Sequence, residues 1–345
     1  MNFSKSKQII NYLIIFFLRK KITIKKIFNL FFNFFYGLTI SNKAAKYPSI
    51  LVIEPTDLCN LRCRDCGYNL AVEKKRTILK FGDYKKIIDE TKDYIFCVLL
   101  YFAGEPFLNS EIIEMIDYAE KNNIAVITST NGNFNFSDEQ FENLINSKCS
   151  SIIFSVSGAT QKIYEKYHIS GNLEKVNNNI KKIIKYKKKH NSKFPLITIR
   201  YLITNDNLEE LESARQFYNN LGIDYFQPRY AYSQSAVNNF IEQKYGNNNT
   251  LMQNSKMPKK YKNFCFWLWF ILIIKANKTI LPCCYEFFKI PVLGDYNNQN
   301  NIADIWNSEK YRNFRESVLK YREIMNCCKN CDSSFGFQDN VLLKK

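Results

Sequence analysis

Histidine is almost missing from this chain: two residues, His168 and His190, among 345. Neither stands beside a candidate nucleophile in the sequence, which disfavours a Ser-His or Cys-His hydrolase. No Gly-rich phosphate loop of the dinucleotide or P-loop kind follows any apolar run. Acid is missing from the first 48 residues, which carry nine Lys or Arg; Glu54 is the first carboxylate. Long apolar runs are missing too. Ile9 to Leu18 ends at Arg19-Lys20-Lys21, and 27–38 is interrupted by Asn29 and Asn33, so neither block reaches the roughly 20 residues of a spanning helix. A small-residue cleavage site, the mark of a signal peptide, is also lacking. Without a secretory pattern, the 11 cysteines argue against a disulfide scaffold and for a reducing, cytoplasmic setting.

What is present is a chain long enough for one large domain with appendages, with a formal net charge of +17. Nucleotide bias accounts for part of this charge, since Lys, Asn, Ile and Phe are all abundant. The basic, Phe-rich arm over 1–48 has three readings. It suits an anionic membrane surface, which would make the protein peripheral to the membrane. It also suits helices packed on the body that merely carry surface lysines, the preferred reading. Nucleic-acid binding ranks last, because no nucleic-acid module accompanies the charge.

From Ser49 to about Arg229 short apolar runs alternate with amphipathic segments, the pattern of βα units and a parallel sheet. Strands are predicted at Ile50–Ile53, Phe96–Tyr101, Ala125–Ser129, Ser151–Ser155, Leu196–Ile203 and Asp224–Gln227, with helices at Asp83–Thr91, Ser110–Lys121, Ser137–Ile145 and Leu208–Leu221. Residues 231–260 are rich in Asn, Gln, Ser and Lys and are expected to form a linker or substrate-facing loop, most pliable at 247–250.

The first predicted strand runs into Glu54-Pro-Thr-Asp-Leu-Cys59-Asn-Leu-Arg-Cys63-Arg-Asp-Cys66, a C-x3-C-x2-C spacing. The carboxyl end of a strand is where α/β folds usually place their chemistry. Three thiolates on one loop can grip a cubane iron–sulfur cluster and leave one iron open. Structural zinc is the competing reading, but zinc prefers four closed ligands and no second pair lies nearby.

This triplet, with Asn60 directly after its first cysteine, resembles the radical S-adenosylmethionine (SAM) superfamily. The resemblance implies a SAM-binding [4Fe-4S] cluster on Cys59, Cys63 and Cys66, and reductive cleavage of SAM to a 5′-deoxyadenosyl radical that takes hydrogen from a substrate. Asp65 departs from the pattern, which usually has a bulky residue there, near the adenine. Further segments are similar to the family's at successive strand ends. Phe102-Ala103-Gly104-Glu105-Pro106 resembles G-G-E-P, which would hold the SAM amino group. Thr128-Ser-Thr-Asn131-Gly132 resembles T-N-G. Ser155-Val-Ser157-Gly158 resembles S-x-D-G with Ser157 in place of the acid, so Ser155 is the candidate there. Arg200 falls where relatives place an arginine near the SAM carboxylate. The implied cofactor-binding set is thus Gly104, Glu105, Asn131, Ser155 and Arg200.

The later cysteines are Cys265, Cys283-Cys284, Cys327-Cys328 and Cys331, separated by a predicted hairpin around 277–280, Leu293-Gly294-Asp295, Ile302 to Trp306, and a helix over Tyr311–Tyr321. This order resembles the SPASM or twitch extension of radical SAM enzymes. It implies one auxiliary [4Fe-4S] cluster on Cys265, Cys283, Cys328 and Cys331, with Cys284 and Cys327 as alternates and tetrahedral zinc still open. Cys97 and Cys149 sit in apolar surroundings as core thiols. The fold expected is α/β: a partial (β/α)6 TIM-like barrel with a small C-terminal cysteine-rich extension and an N-terminal helical basic arm. Its divisions are 1–48, the core over 49–230, the linker over 231–260, the auxiliary-cluster domain over 261–336, and a tail over 337–345. The implied partners are a peptide or small-molecule substrate and an electron donor such as flavodoxin or ferredoxin. A zinc-stabilised nucleic-acid-binding protein and a non-catalytic membrane-surface scaffold are the alternatives.

Overall fold

The computed structural model describes residues 22–66, 76–230, 263–284, 290–297 and 299–328. Residues 1–21, the expected linker over 231–260, Cys331 and the tail lie outside them. Six strands, β1 (Ile50–Ile53), β2 (Cys97–Leu99), β3 (Ala125–Thr130), β4 (Ser151–Val156), β5 (Leu196–Ile203) and β6 (Tyr225–Tyr230), run parallel in sequence order. Each crosses to the next through helix, which gives the partial (β/α)6 barrel. The Val-, Ile- and Leu-rich runs of β1, β2 and β5 reflect burial on both faces.

The helices supply the outer face. α1 (Ile24–Leu38) precedes the barrel, followed by α2 (Phe81–Thr91), α3 (Ile112–Lys121), α4 (Asp138–Asn146), α5 (Gln161–Tyr167), α6 (Leu173–Lys189) and α7 (Leu211–Leu221). Ser137 caps α4 in a reciprocal box with Gln140, so two orphan backbone donors are satisfied where the chain enters. Two crossover helices, α5 and α6, were not expected between the fourth and fifth strands. Leu173, Val176, Ile180, Ile183 and Ile184 lie on the buried stripe of α6, but Lys and Asn fill most of the other positions and blur the period.

Strand alternation sorts the sheet into two faces. Leu51, Val98, Val126, Ile152, Ile197 and their neighbours pack on the helices in the main core. The opposite face holds Cys97, Ile127 and Ile153 in a small interior cluster. Toward the carboxyl ends this inner face turns polar: Ser155 on β4 pairs in register with Arg200 on β5, which pairs with Gln227 on β6.

The C-terminal segment joins the same sheet. Trp267–Phe270 forms a helical turn, α8, and β7 (Ile271–Ile274) pairs in parallel with β1 along all four of its residues. β8 (Thr279–Leu281) and β9 (Gly294–Asp295) then add antiparallel, and α9 (Ile302–Trp306) and α10 (Glu309–Tyr321) follow. The hairpin is therefore where the sequence put it, while its pairing with β1 was not foreseen.

α1 packs on the body by its polar side. Asn33 donates to the Tyr47 carbonyl at 3.0 Å and to Ser49 Oγ at 3.0 Å, and accepts from Ala45 N at 3.0 Å. Asn29 donates to the Tyr47 and Pro48 carbonyls and accepts from Tyr47 N. Lys26 is buried and donates to the Asn123 carbonyl. The two asparagines that looked like interruptions of an apolar block are the attachment: the helix packs on the body, with Lys25 at the surface and Lys26 buried.

Candidate active site and metal centres

The cysteine loop leaves β1 and is fastened on three sides. Asp57 accepts from Thr77 N at 2.6 Å, and Leu79 N donates to the Pro55 carbonyl. Arg62 N and Arg64 N donate to the carbonyls of Ile169 and Tyr167, at and just after the end of α5. Glu105 N donates to the Leu58 carbonyl at 2.7 Å. This last approach explains Gly104: a Cβ there would stand 2.2 Å from the Thr56 carbonyl oxygen and 2.7 Å from that of Leu58. The glycine lets the second strand end close against the cysteine loop; Ala103, one position earlier, is tolerated because the crowding falls on Gly104.

Within this loop Cys59, Cys63 and Cys66 are half-buried thiols. Burial pushes the Cys63 thiol up to about 12, with Cys66 and Cys59 adding to the rise. Burial likewise raises Cys59, helped by Glu105 and Cys66 and opposed by the Leu61 backbone donor. The three sulfurs thus lie near one another, and the raised Cys59 and Cys63 thiols give up their protons readily only when a cation arrives. Among the described residues no three His, Cys, Asp or Glu side chains converge tightly enough for a single ion. A cubane places each ligand sulfur on a different iron, so its thiolates stand further apart than those around one zinc.

Glu105 is almost wholly buried and its carboxylate faces inward. Oε1 accepts from Phe107 N at 3.1 Å and Thr130 Oγ1 at 2.8 Å, and Oε2 accepts from Asn131 N at 2.7 Å. Burial raises this carboxyl to about 7 against those donors. The carboxylate braces the second strand end against the third. The brace aims Asn131, whose Nδ2 reaches Asn60 Oδ1 at 2.9 Å and Cys59 Sγ at 3.8 Å. The left-handed turn that follows falls on Gly132, at φ +76°.

Arg200 Nε is buried with no hydrogen-bond partner among the described residues, as is Thr198 Oγ1 two residues earlier on the same strand face. A buried guanidinium N–H without an acceptor is costly. Beside Ser155, it fits an anionic ligand group at the carboxyl end of the barrel. Ser157, by contrast, is fully buried, with its Oγ 2.6 Å from His168 Nδ1. His168 stacks on Tyr164, and burial holds it down to about 3. A serine and a histidine do meet after all, but both are sealed from solvent and serve the core.

Two residues at the site carried no signal in the sequence. Glu54 is buried and joins the two halves, accepting from Ala103 N at 3.2 Å and from Ala276 N at 3.0 Å. Tyr167, at the end of α5, has its phenol raised by burial and by the nearness of Cys63, Asp65 and Cys66. It supplies an aromatic ring beside the third cysteine, where the sequence itself offers Asp65. Both arrive from distant chain, which explains their silence in a local pattern.

In the C-terminal region Cys328 is raised by Cys327, whose sulfur lies 3.6 Å away, by burial, and by Cys283 and Cys265. Tyr311 also feels Cys283 and Cys265. Cys265, Cys283 and Cys328 therefore share one neighbourhood, while Cys284 is exposed and Cys331 lies outside the described residues. Arg315 packs against Tyr311 and Trp306, its guanidinium 4.3 Å from the Trp306 ring centroid and 4.4 Å from that of Tyr311. Nε donates to the Leu268 carbonyl and Nη2 to that of Trp306, while Nη1 is buried without a partner among the described residues.

These two thiol sites on a partial barrel define a class. The family model of the radical SAM superfamily matches residues 53–218, and that of an iron–sulfur cluster-binding domain, SPASM, matches 265–332. The chain belongs to the radical SAM superfamily and carries the SPASM domain at its C-terminal end. Its cofactors are accordingly S-adenosylmethionine, a SAM-binding [4Fe-4S] cluster and auxiliary iron–sulfur in the C-terminal domain. Among curated relatives, a tungsten-containing aldehyde ferredoxin oxidoreductase cofactor-modifying protein of Pyrococcus furiosus is 23% identical over 313 residues, covering 81% of this chain and 86% of the relative. Among solved structures, Streptococcus suis SuiB bound to S-adenosylmethionine aligns with a TM-score of 0.63 at 18% identity, over 91% of this chain and 78% of SuiB. The anSMEcpe structure with bound AdoMet aligns at 0.55 and 16% identity, over 83% and 90%. These two likenesses concern the fold.

Proposed function

We propose that this SAM-cleaving enzyme is an oxidoreductase or maturase that takes hydrogen from a peptide or protein side chain, or from a sugar-like alcohol, and completes an oxidation or crosslink. When bound and reduced, the cluster supplies the electron that splits SAM into methionine and a 5′-deoxyadenosyl radical. Cys59, Cys63 and Cys66 hold it and leave one coordination position for SAM. Arg200 and Ser155 receive the anionic end of SAM, Asn131 orients the loop at Cys59, and Glu105 positions Asn131. The Gly104-Glu105 segment receives the amino group. Cys265, Cys283, Cys328 and Cys331 hold one auxiliary cluster, and its complete ligand set suits electron relay to a donor or acceptor such as flavodoxin or ferredoxin. Oxygen-sensitive thiolate sites of this kind belong in a reducing cytoplasm.

The single observation behind this reading is the orphaned Arg200 Nε at the polar end of the barrel interior, in a sheet whose first strand delivers the three thiols. Relatives lend support: SuiB has been crystallised with its precursor peptide SuiA, and the Pyrococcus relative is named for modifying a cofactor. The test is anaerobic reconstitution with iron and sulfide, followed by SAM and strong reductant. Wild type is expected to release 5′-deoxyadenosine, and a Cys59→Ala, Cys63→Ala, Cys66→Ala variant none. Reconstituted wild type that forms no 5′-deoxyadenosine would overturn the proposal.

A further inference from the structure

Helix α1 is built inside out. Its buried positions are Lys26, Asn29, Asn33 and Gly37, a polar stripe at three- and four-residue spacing. Its outward positions are apolar: Ile24 is 71% exposed, Phe28 57%, Phe31 58% and Leu38 57%, and Ile27 and Phe35 lie between them. These six side chains recur at helical spacing and form one continuous stripe along all 15 residues. At 1.5 Å per residue the stripe is about 22 Å long. The outward rings contact one another, Phe31 stacking on Phe35 at 6.5 Å, while Phe34 turns back to Phe270. A helix in water normally buries such a stripe, and a contiguous exposed apolar patch of this kind marks an interaction surface.

Charge identifies what covers it. The arm over 1–48 carries nine cations and no acid. Arg19, Lys20 and Lys21 lead into the helix, and exposed Lys43 and Lys46 follow it. Of the helix's own cations, Lys25 is engaged by Asp93 at 2.8 Å and Lys26 is buried against the body. A second copy docking face to face would bring two such arms together, and like charges across an isologous contact repel. Folding back Ile9 to Leu18 would cover the stripe with more of the same basic segment and leave its charge uncompensated. An anionic lipid surface satisfies both features, taking the phenyl rings into the acyl boundary and the flanking cations among the headgroups. No helix among the described residues is long and apolar enough to cross a membrane, so the contact is in the plane of the surface.

We infer that α1 is an in-plane anchor that seats this enzyme on an anionic bilayer through Ile24, Ile27, Phe28, Phe31, Phe35 and Leu38. The inference does not depend on the reaction proposed above. The test is co-sedimentation of the full-length reconstituted protein with phosphatidylcholine vesicles carrying about one-third phosphatidylserine, against vesicles of phosphatidylcholine alone. Wild type is expected to sediment with the anionic vesicles only. A Phe28→Ser, Phe31→Ser, Phe35→Ser variant is expected to bind at least about tenfold more weakly while releasing 5′-deoxyadenosine as wild type does. In a Phe31→Trp variant, the added emission is expected to be quenched by brominated lipid.

Four outcomes would overturn the inference. One is wild type that stays in the supernatant. Another is a serine variant that binds as well as wild type. A third is a stable dimer that the serine substitutions disperse, which would make a second copy the occupant. The last is a Phe31→Trp emission that no vesicle alters, which would mean that the chain covers its own stripe.

Discussion

The two thiol-bearing regions are held in opposite ways. Around Cys59, Cys63 and Cys66 the support is polar: Asn60, Glu105, Thr130 and Asn131 pass hydrogen bonds from strand end to strand end. Around Cys265, Cys283 and Cys328 the support is aromatic. Phe264 stacks on Trp269 at 5.0 Å, Phe266 on Phe270 at 4.1 Å, and Arg315 lies between Trp306 and Tyr311. Cys265 and Cys328 border the apolar cluster that these residues form. A region that must admit a polar nucleotide keeps polar walls. A region that only passes electrons gains from a dry shell, since solvent access and dielectric tune a cluster's potential.

The contrast is sharpest at Glu54, which serves both regions. Glu54→Ala removes the acceptor of two backbone donors, Ala103 N in the first region and Ala276 N in the second. Unfolding free energy is expected to fall by about 4 kcal/mol, and both sites are expected to lose iron together. If one site alone lost iron, the two regions would be independent units.

Arg315→Met acts on the aromatic side only. It leaves the Leu268 and Trp306 carbonyls without their donor and is expected to cost about 2 kcal/mol. Auxiliary iron should fall, while the Cys59 loop keeps its cluster by electron paramagnetic resonance. Equal loss at both sites would contradict the division.

Near neutral pH the smallest effect is a pH slope on the polar side. His168 is held down to about 3, far below its ordinary value of 6.5, so the unfolded chain binds a proton there that the folded chain refuses. Stability from this group is whole above pH 6.5 and is lost as pH falls toward 3. The loss is about 1.4 kcal/mol per pH unit. Urea unfolding of wild type and His168→Asn should diverge in slope over that window; parallel slopes would show that His168 is not sealed.

Motifs that are local in the chain were legible because their chemistry is local. The C-x3-C-x2-C loop needs only a strand before it, and β1 and β5 fall on the predicted residues because short runs rich in Ile, Leu and Val suit a buried strand. Glu105 was visible as a residue but not as a brace, since its partners Thr130 and Asn131 stand a whole βα unit away. The polarity of α1 was hidden for a related reason. Asn29 and Asn33 look like flaws in an apolar helix until the backbone around Tyr47 is there to receive them.

By itself the sequence determined the class of chemistry, the order of the βα units and the two groups of thiols, because residue type and short spacing are enough to specify ligands and strands. Only the tertiary structure decided which way each side chain turns: Glu105 inward, Arg200 toward the barrel interior, Cys328 toward Cys265 and Cys283, and the phenyl rings of α1 away from the protein. Orientation depends on backbone donors and acceptors from remote segments, and these have positions only once the sheet has closed around them.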